Sequence, residues 1–168
     1  MYNWCQGESR CGKSTATQWT SQLKSVNVVE RLDVYADSAG FVSGNFATIQ
    51  VGDLMIDLCT EVNCPTRGMN MVVLDPNSGK IVLMNTFDTH ESSAEFAAAL
   101  AKLIKGSIVV VSVKDEASKN LSWEVKEFFE KMGSTEIRYL GWRESWAFIG
   151  VLGGNKRDVV ETRGNARE

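Results

Sequence analysis

The run Leu140-Gly141-Trp142-Arg143-Glu144-Ser145-Trp146-Ala147-Phe148-Ile149-Gly150 constrains this chain more than any other stretch. From Trp146 to Val151 it is apolar and β-prone, which reads as a buried strand. Two indoles, a guanidinium and a carboxylate fall between Trp142 and Trp146. Trp142 and Arg143 therefore stand at the strand's mouth, where a rigid core can hold polar groups in place.

The chain around that strand is expected to be α+β. Short β-like pieces cover Val28–Tyr35, Gly40–Gly44, Phe46–Val51 and Leu54–Leu58 and look like a small antiparallel sheet. Met69–Leu74 and Lys80–Phe87 flank Asp75-Pro76-Asn77-Ser78-Gly79, a hairpin loop with Pro fixing one φ and Gly free to take a positive one. Ser92-Ser93-Ala94-Glu95 has capping-box spacing; Phe96, Leu100, Leu103 and Ile104 follow on one face, and Gly106 is the expected helix stop. After the apolar strand Ser107–Val113, a second stripe of Leu121, Val125, Phe128, Phe129 and Met132 ends at Gly133. Ile137–Leu140 and Trp146–Val151 are expected to complete the domain as strands, and the polar stretch from Asn155 to Glu168 is expected to fray. The boundaries predicted are a cysteine-containing N-terminal segment over 1–25, a domain over 26–154 and a polar tail over 155–168.

At 168 residues and 43% hydrophobic content the chain can bury one sizeable core. A net charge of -3 with scattered Lys and Arg argues against a nucleic-acid partner. The longest apolar stretch, around Ile108–Val111, falls far short of the roughly 20 residues a membrane helix needs, so no insertion by this segment is expected. Met1 is followed by Tyr2-Asn3-Trp4-Cys5, which lacks the basic start and apolar core of a signal peptide. The chain is then either cytosolic or a piece of a longer secreted or luminal protein, and the cysteines favour the second. Cys5 with Cys11, and Cys59 with Cys64, lie in polar, turn-rich stretches; of the three possible connectivities, the one with two local disulfides is preferred, against the alternative of four free thiols. Neither spacing is Cys-x-x-Cys and His90 is the single histidine, so no zinc site and no other cofactor is expected.

Gly7-Glu8-Ser9-Arg10-Cys11-Gly12-Lys13-Ser14 satisfies the P-loop pattern, and Met71–Asp75 could pass for the strand and carboxylate that hold magnesium. A phosphate cradle, however, needs a buried strand before the first Gly and a helix after the Lys. Met1–Gln6 is too short and polar for the former, and Thr15–Gln22 has no apolar stripe for the latter. Asp88 and His90 lack a second partner at a usable spacing for acid–base chemistry, so no enzymatic role is expected.

Arg67-Gly68-Met69-Asn70-Met71-Val72-Val73-Leu74, Phe87-Asp88-Thr89, Ser112-Val113-Lys114-Asp115-Glu116, Met132-Gly133-Ser134 and Gly141–Phe148 occur in the order and spacing of the interleukin-like EMT inducer domain, which the chain resembles over roughly Val28–Gly154. The likeness is greatest to the stem-domain branch of that family, found in protein O-mannose β-1,2-N-acetylglucosaminyltransferase, through Val113–Glu116 and Leu140–Arg143. The resemblance implies a compact β-β-α fold of two small, mainly antiparallel sheets lined by helices, in a secreted or Golgi-luminal protein. It also implies a non-enzymatic, lectin-like module that takes a glycan or glycoprotein such as one ending in β-linked N-acetylglucosamine, beside a catalytic domain or receptor. The sugar-contacting positions of that branch fall on Arg67, Asp115 and Arg143, whereas the two cysteine pairs are not part of its pattern. The residue chemistry agrees, because a sugar's hydroxyl edge suits a guanidinium fork and a carboxylate, and its C–H face suits an indole, Trp142 or Trp146. A secreted cytokine-like ligand of the same fold is the alternative, and a nucleotide hydrolase a distant third.

If Gly7–Ser14 is no phosphate cradle, Lys13→Ala leaves folding untouched and calorimetry with ATP or GTP and magnesium shows no saturable binding. Micromolar binding abolished by Lys13→Ala restores the hydrolase reading.

Overall fold

A computed structural model describes residues 15–25, 28–56, 58 and 66–166. The four cysteines and the Gly7–Ser14 motif lie outside the described residues. In chain order the elements are β1 (Thr15–Ser25), β2 (Val28–Gly40), β3 (Phe46–Val51), β4 (Leu54–Ile56), β5 (Gly68–Leu74), β6 (Ile81–Phe87), α1 (Ala94–Leu100), β7 (Ile108–Asp115), α2 (Trp123–Met132), β8 (Ser145–Val151) and β9 (Val160–Gly164).

The apolar runs do become buried strands. Every residue of β5 is buried, as are the first six of β7 and of β8. Such runs need cover on both faces, and the fold supplies it. Met69, Met71, Val73, Val109, Val111, Trp146 and Phe148 face Phe96 of α1 and Val125, Phe129 and Met132 of α2. Val72, Leu74, Ile108, Val110, Ala147 and Ile149 face Val34 and Ala36 of β2 and Ile49 and Val51 of β3. Phe129 meets both Trp146 and Phe148 edge-on at 5.1 Å, a geometry worth about 0.5–1.5 kcal/mol per pair beyond area burial.

The two small sheets expected are instead joined in one mixed sheet of nine strands among the described residues. One side of β7 pairs with β5 throughout; the other is shared. β8 occupies that second edge from Ile108 to Ser112, and β2 takes it over in parallel through Ala39↔Lys114 and Gly40↔Asp115. Hydroxyls close the changeover: Ser38 Oγ donates to the Val113 carbonyl (2.5 Å) and accepts from the Trp146 N–H (3.1 Å), while Ser112 Oγ donates to the Asp37 carbonyl (2.5 Å).

Several local expectations change. Phe41–Ser43 is a 3-10 turn rather than strand, its chain reversed by the Asn45 N–H bond to the Gly40 carbonyl at 3.1 Å. Ile137–Tyr139 is likewise a 3-10 turn, started by Ser134 Oγ, which accepts from the Ile137 N–H. The first helix stops at Leu100 instead of reaching Gly106, whose N–H is taken by the Leu152 carbonyl. Its capping box does not form, because Ser93 is the N-cap and its hydroxyl accepts from the Ser122 N–H at the start of α2. Thr15–Ser25, which has no apolar stripe, pairs along β2 as an antiparallel strand where a P-loop requires a helix. Asp75 Oδ1 is occupied by the Asn77 N–H and by the N–H and hydroxyl of Ser78, as in a hairpin turn. The polar stretch after Asn155 does not fray throughout: β9 pairs with β8 from Val160 to Gly164.

Glu161 of β9 explains that order. Its carboxylate accepts from Ser134 Oγ and the Thr135 N–H (both 2.5 Å), Thr135 Oγ1 (3.1 Å), the Glu136 N–H (3.2 Å) and the buried Trp146 Nε1 (3.1 Å). One side chain thus ties the turn after α2 to the centre of the core. Glu161→Ala leaves the indole N–H unpaired and is expected to cost about 2–3 kcal/mol, read as a lower urea midpoint with an unchanged m-value.

Candidate functional site

The changeover on β7 brings four chain segments to one rim: the end of β2 at Gly40, the end of β7 at Asp115, the entry to β5 at Arg67–Gly68, and the entry to β8 after Arg143. Gly40 is the hinge of the arrangement. A Cβ there would lie 2.1 Å from the Arg143 carbonyl oxygen, so only glycine lets β2 run this close to the Trp142–Arg143 segment.

Three non-glycine residues among those described take the left-handed backbone region: Asn45 (φ 56°), Asp115 (φ 60°) and Arg143 (φ 58°). All three abut Gly40, by hydrogen bond, strand pairing and backbone contact respectively. Such conformations cost about 1–3 kcal/mol each and persist where the surroundings over-determine them. The strain is accompanied by buried polar atoms without hydrogen-bond partners among the described residues, Asn45 Oδ1 and Arg143 Nε.

Arg143 is stacked rather than ion-paired. Its guanidinium lies 4.0 Å from the Phe41 ring centroid and 5.4 Å from that of Trp142. Phe41 is 47% and Trp142 52% exposed, so the stack opens to solvent. His90 lies beside Trp142, ring centroids 5.6 Å apart and planes tilted by 52°. The His90 side chain is 15% exposed, and its Nδ1 sits 2.8 Å from Oε2 of the buried Glu116. Glu116 also accepts from the N–H and hydroxyl of Ser118 (2.6 Å each) and the Lys119 N–H (3.1 Å). Lys119 Nζ stands 3.1 Å from His90 Nε2, so the ring bridges Glu116 and Lys119.

Arg67 is committed elsewhere. Its Nε donates to Asp88 Oδ1 (3.0 Å), and its Nη2 to Asp88 Oδ2 (2.7 Å) and Glu91 Oε1 (2.9 Å). Burial pushes the Asp88 carboxyl up, but the Arg67 fork and the backbone N–H groups of His90 and Glu91 outweigh it and hold the group below the ordinary Asp value. A depressed carboxyl stabilises the folded state above the unfolded pKa and loses that contribution as acid titrates it, so this brace is intact at neutral pH. By contrast, neither the Asp115 carboxylate nor the Arg143 guanidinium has a hydrogen bond or ion pair among the described residues. The structure brings Arg143, Trp142 and Asp115 to one rim and sets Arg67 at its flank, linked through Glu91 and His90. Sequence reasoning missed Gly40, Phe41 and His90; only the aromatic after a glycine at the end of a β-like run could have flagged the first two.

The sequence profile described as interleukin-like EMT inducer matches residues 67–154, just over half the chain. The chain belongs to this family. Among its relatives, a Danio rerio protein named cell surface hyaluronidase is 35% identical over 100 residues, 57% of this chain and 7% of that protein. The human cell migration-inducing and hyaluronan-binding protein is 34% identical over 98 residues, 56% of this chain and 7% of that protein. Protein FAM3C of Bos taurus is 30% identical over 96 residues, 56% of this chain and 42% of that protein. The chain thus spans less than half the length of each. In this interleukin-like EMT inducer domain the matched span holds Arg67, Asp115, Trp142 and Arg143, whereas Gly40 and Phe41 lie before it.

Gly40→Ala forces a Cβ into backbone that cannot yield without moving the Trp142–Arg143 segment. It is expected to cost about 2–4 kcal/mol in chemical denaturation and to shift the amide resonances of Trp142, Arg143 and Asp115 more than those of α1. An alanine variant of wild-type stability would contradict the contact.

Proposed function

We propose that the rim is a glycan-binding site of a non-enzymatic, lectin-like module in an extracellular or luminal protein. The observation that carries this reading is the pairing of strain with unused valence. Among the described residues, Asp115 and Arg143 are two of the three left-handed non-glycine residues, both abut Gly40, and both carry charged groups without hydrogen-bond or ion-pair partners beside a half-exposed indole. Backbone strain of this kind concentrates at ligand sites, where it fixes a side chain that no internal contact holds. A guanidinium and a carboxylate suit vicinal hydroxyls or an acetamido group, and Trp142, beside His90, suits the C–H face of the same ring.

A terminal β-linked N-acetylglucosamine fits this set, and the likeness to the stem-domain branch of the family supports it. Arg67 acts at the flank, holding Asp88 and Glu91 in register with the site. The hyaluronan in the name of the human relative is a second glycan to compare. A cytokine-like ligand on the same scaffold is the competing outcome.

Affinity for a monosaccharide is expected to be weak, on the order of 0.1–1 mM, because a small open site gains little area. In NMR titration with a β-N-acetylglucosaminide, Trp142, Asp115 and Arg143 should shift, and Arg143→Ala and Asp115→Ala should each abolish the response. Asp115→Gly separates the roles, since removing a left-handed strain raises stability by about 1 kcal/mol while removing the carboxylate loses the sugar. Variants that bind like wild type, or a wild type that binds nothing across a glycan panel, sink the lectin reading in favour of the protein ligand.

A further inference from the structure

Asn120-Leu121-Ser122 is an Asn-x-Ser sequence with no proline at its centre, the acceptor pattern for N-linked glycosylation. It lies on the turn between β7 and α2 with Asn120 exposed and Leu121 buried, so the fold anchors the middle residue and presents the amide. Beside it opens a cleft of about 450 Å³ between the starts of α1 and α2, lined by Asn120 itself with Ser92, Ser93, Ala94, Ala97, Ser122 and Glu124. Hydroxyls, a carboxylate and two alanine methyls in one lining match the hydroxyl edge and C–H face of a hexosamine.

We infer that Asn120 carries an N-linked glycan whose first N-acetylglucosamine beds into this cleft. The inference rests on the extracellular or luminal part of the reading above and not on sugar binding by the rim. The donor is a polyprenyl-diphosphate-linked oligosaccharide. A bond forms between Asn120 Nδ2 and the sugar C1 as the C1–O bond to the diphosphate breaks, the diphosphate leaves with the electron pair, and one amide proton is released. Before modification, Nδ2 donates to the His90 carbonyl (2.5 Å) and the Glu91 carbonyl (3.2 Å). The proton that remains keeps the shorter bond. The longer one is given up, the amide turning from the Glu91 carbonyl toward the cleft to make room for the sugar. The glycan therefore roots on a side chain bonded to the His90 carbonyl, and the His90 ring lies beside Trp142, so the glycan stands as a fixed neighbour of the rim.

The test directs the chain into the secretory pathway of a eukaryotic cell and reads intact mass, then maps the site by amidase release in heavy-oxygen water. A glycan at Asn120 in most molecules is expected, lost in both Asn120→Gln and Ser122→Ala and kept in Ser122→Thr. A secreted chain with a bare Asn120 overturns the site. After trimming to a single N-acetylglucosamine, a nuclear Overhauser contact between its acetamido methyl and the Ala97 methyl is expected; its absence overturns the cleft. A chain modified at Asn120 whose rim binds no sugar refutes the lectin reading and leaves this one standing, and a sugar-binding chain with bare Asn120 does the reverse.

Discussion

The structure turns on how β7 divides one of its edges. A strand buried on both faces can satisfy its backbone only by continuous pairing, because an unpaired N–H or carbonyl inside the protein loses a bond to water with nothing in return. β8 serves that edge as far as Ser112 and then departs, and β2 arrives in time to serve Lys114 and Asp115. Val113 falls between the two partners, and its carbonyl is met by a side chain, Ser38 Oγ, which also accepts the N–H of Trp146. Two serines thus occupy core positions where an apolar residue would pack as well but leave main-chain groups stranded. The splay that follows lets one face of the central strands carry helices and the other carry β2 and β3.

That geometry also makes the rim. Where β2 slides in, its terminal residue must approach the backbone of the segment entering β8, and Gly40 is what permits it. The segments around Gly40 then have little freedom, and three of them turn through the left-handed region on ordinary side chains. A core carrying Trp146, Phe129, Phe148 and Phe96 at full burial has stability enough to hold a few strained residues at its edge. Rigid strands behind a strained rim fix Arg143 and Asp115 in place without ion pairs, so a ligand need not compete with an internal partner for either.

Much of this was readable from residues alone where a single physical signal dominated. Trp146–Val151 and Ser107–Val113 read as strands because apolar β-prone runs of that length have few other homes, and α2 read as a helix because its stripe and Gly133 agree. β1 did not, since Thr15–Ser25 owes its form to pairing along β2 rather than to a pattern of its own. Nor did β9, whose place depends on Glu161 finding donors about 25 residues upstream. Ile137–Tyr139 has a strand's composition but takes a 3-10 turn because that same carboxylate and Ser134 supply hydrogen bonds a strand could not use. The joining of two sheets into one is a property of register, which no local pattern records.

The two arginines show why site residues are harder to read than folds. Arg67 and Arg143 each precede or follow a glycine-containing turn at a strand's mouth, and both match the same kind of position in the family resemblance. What separates them is partner supply. Arg67 stands opposite the Phe87–Thr89 corner, where Asp88 offers a bidentate carboxylate and Glu91 a second one, so its charge is neutralised within the fold. Arg143 is turned by its left-handed backbone onto Phe41, which contributes attraction through its ring face but no acceptor. Phe41 lies before the span matched by the family profile, on the 3-10 turn that follows β2, and β2 reaches the rim through the changeover on β7. A guanidinium held by stacking keeps its donors for something outside the protein. That distinction rests on topology; under the proposed reading Arg143 carries the recognising charge while Arg67 keeps the neighbouring loop in position.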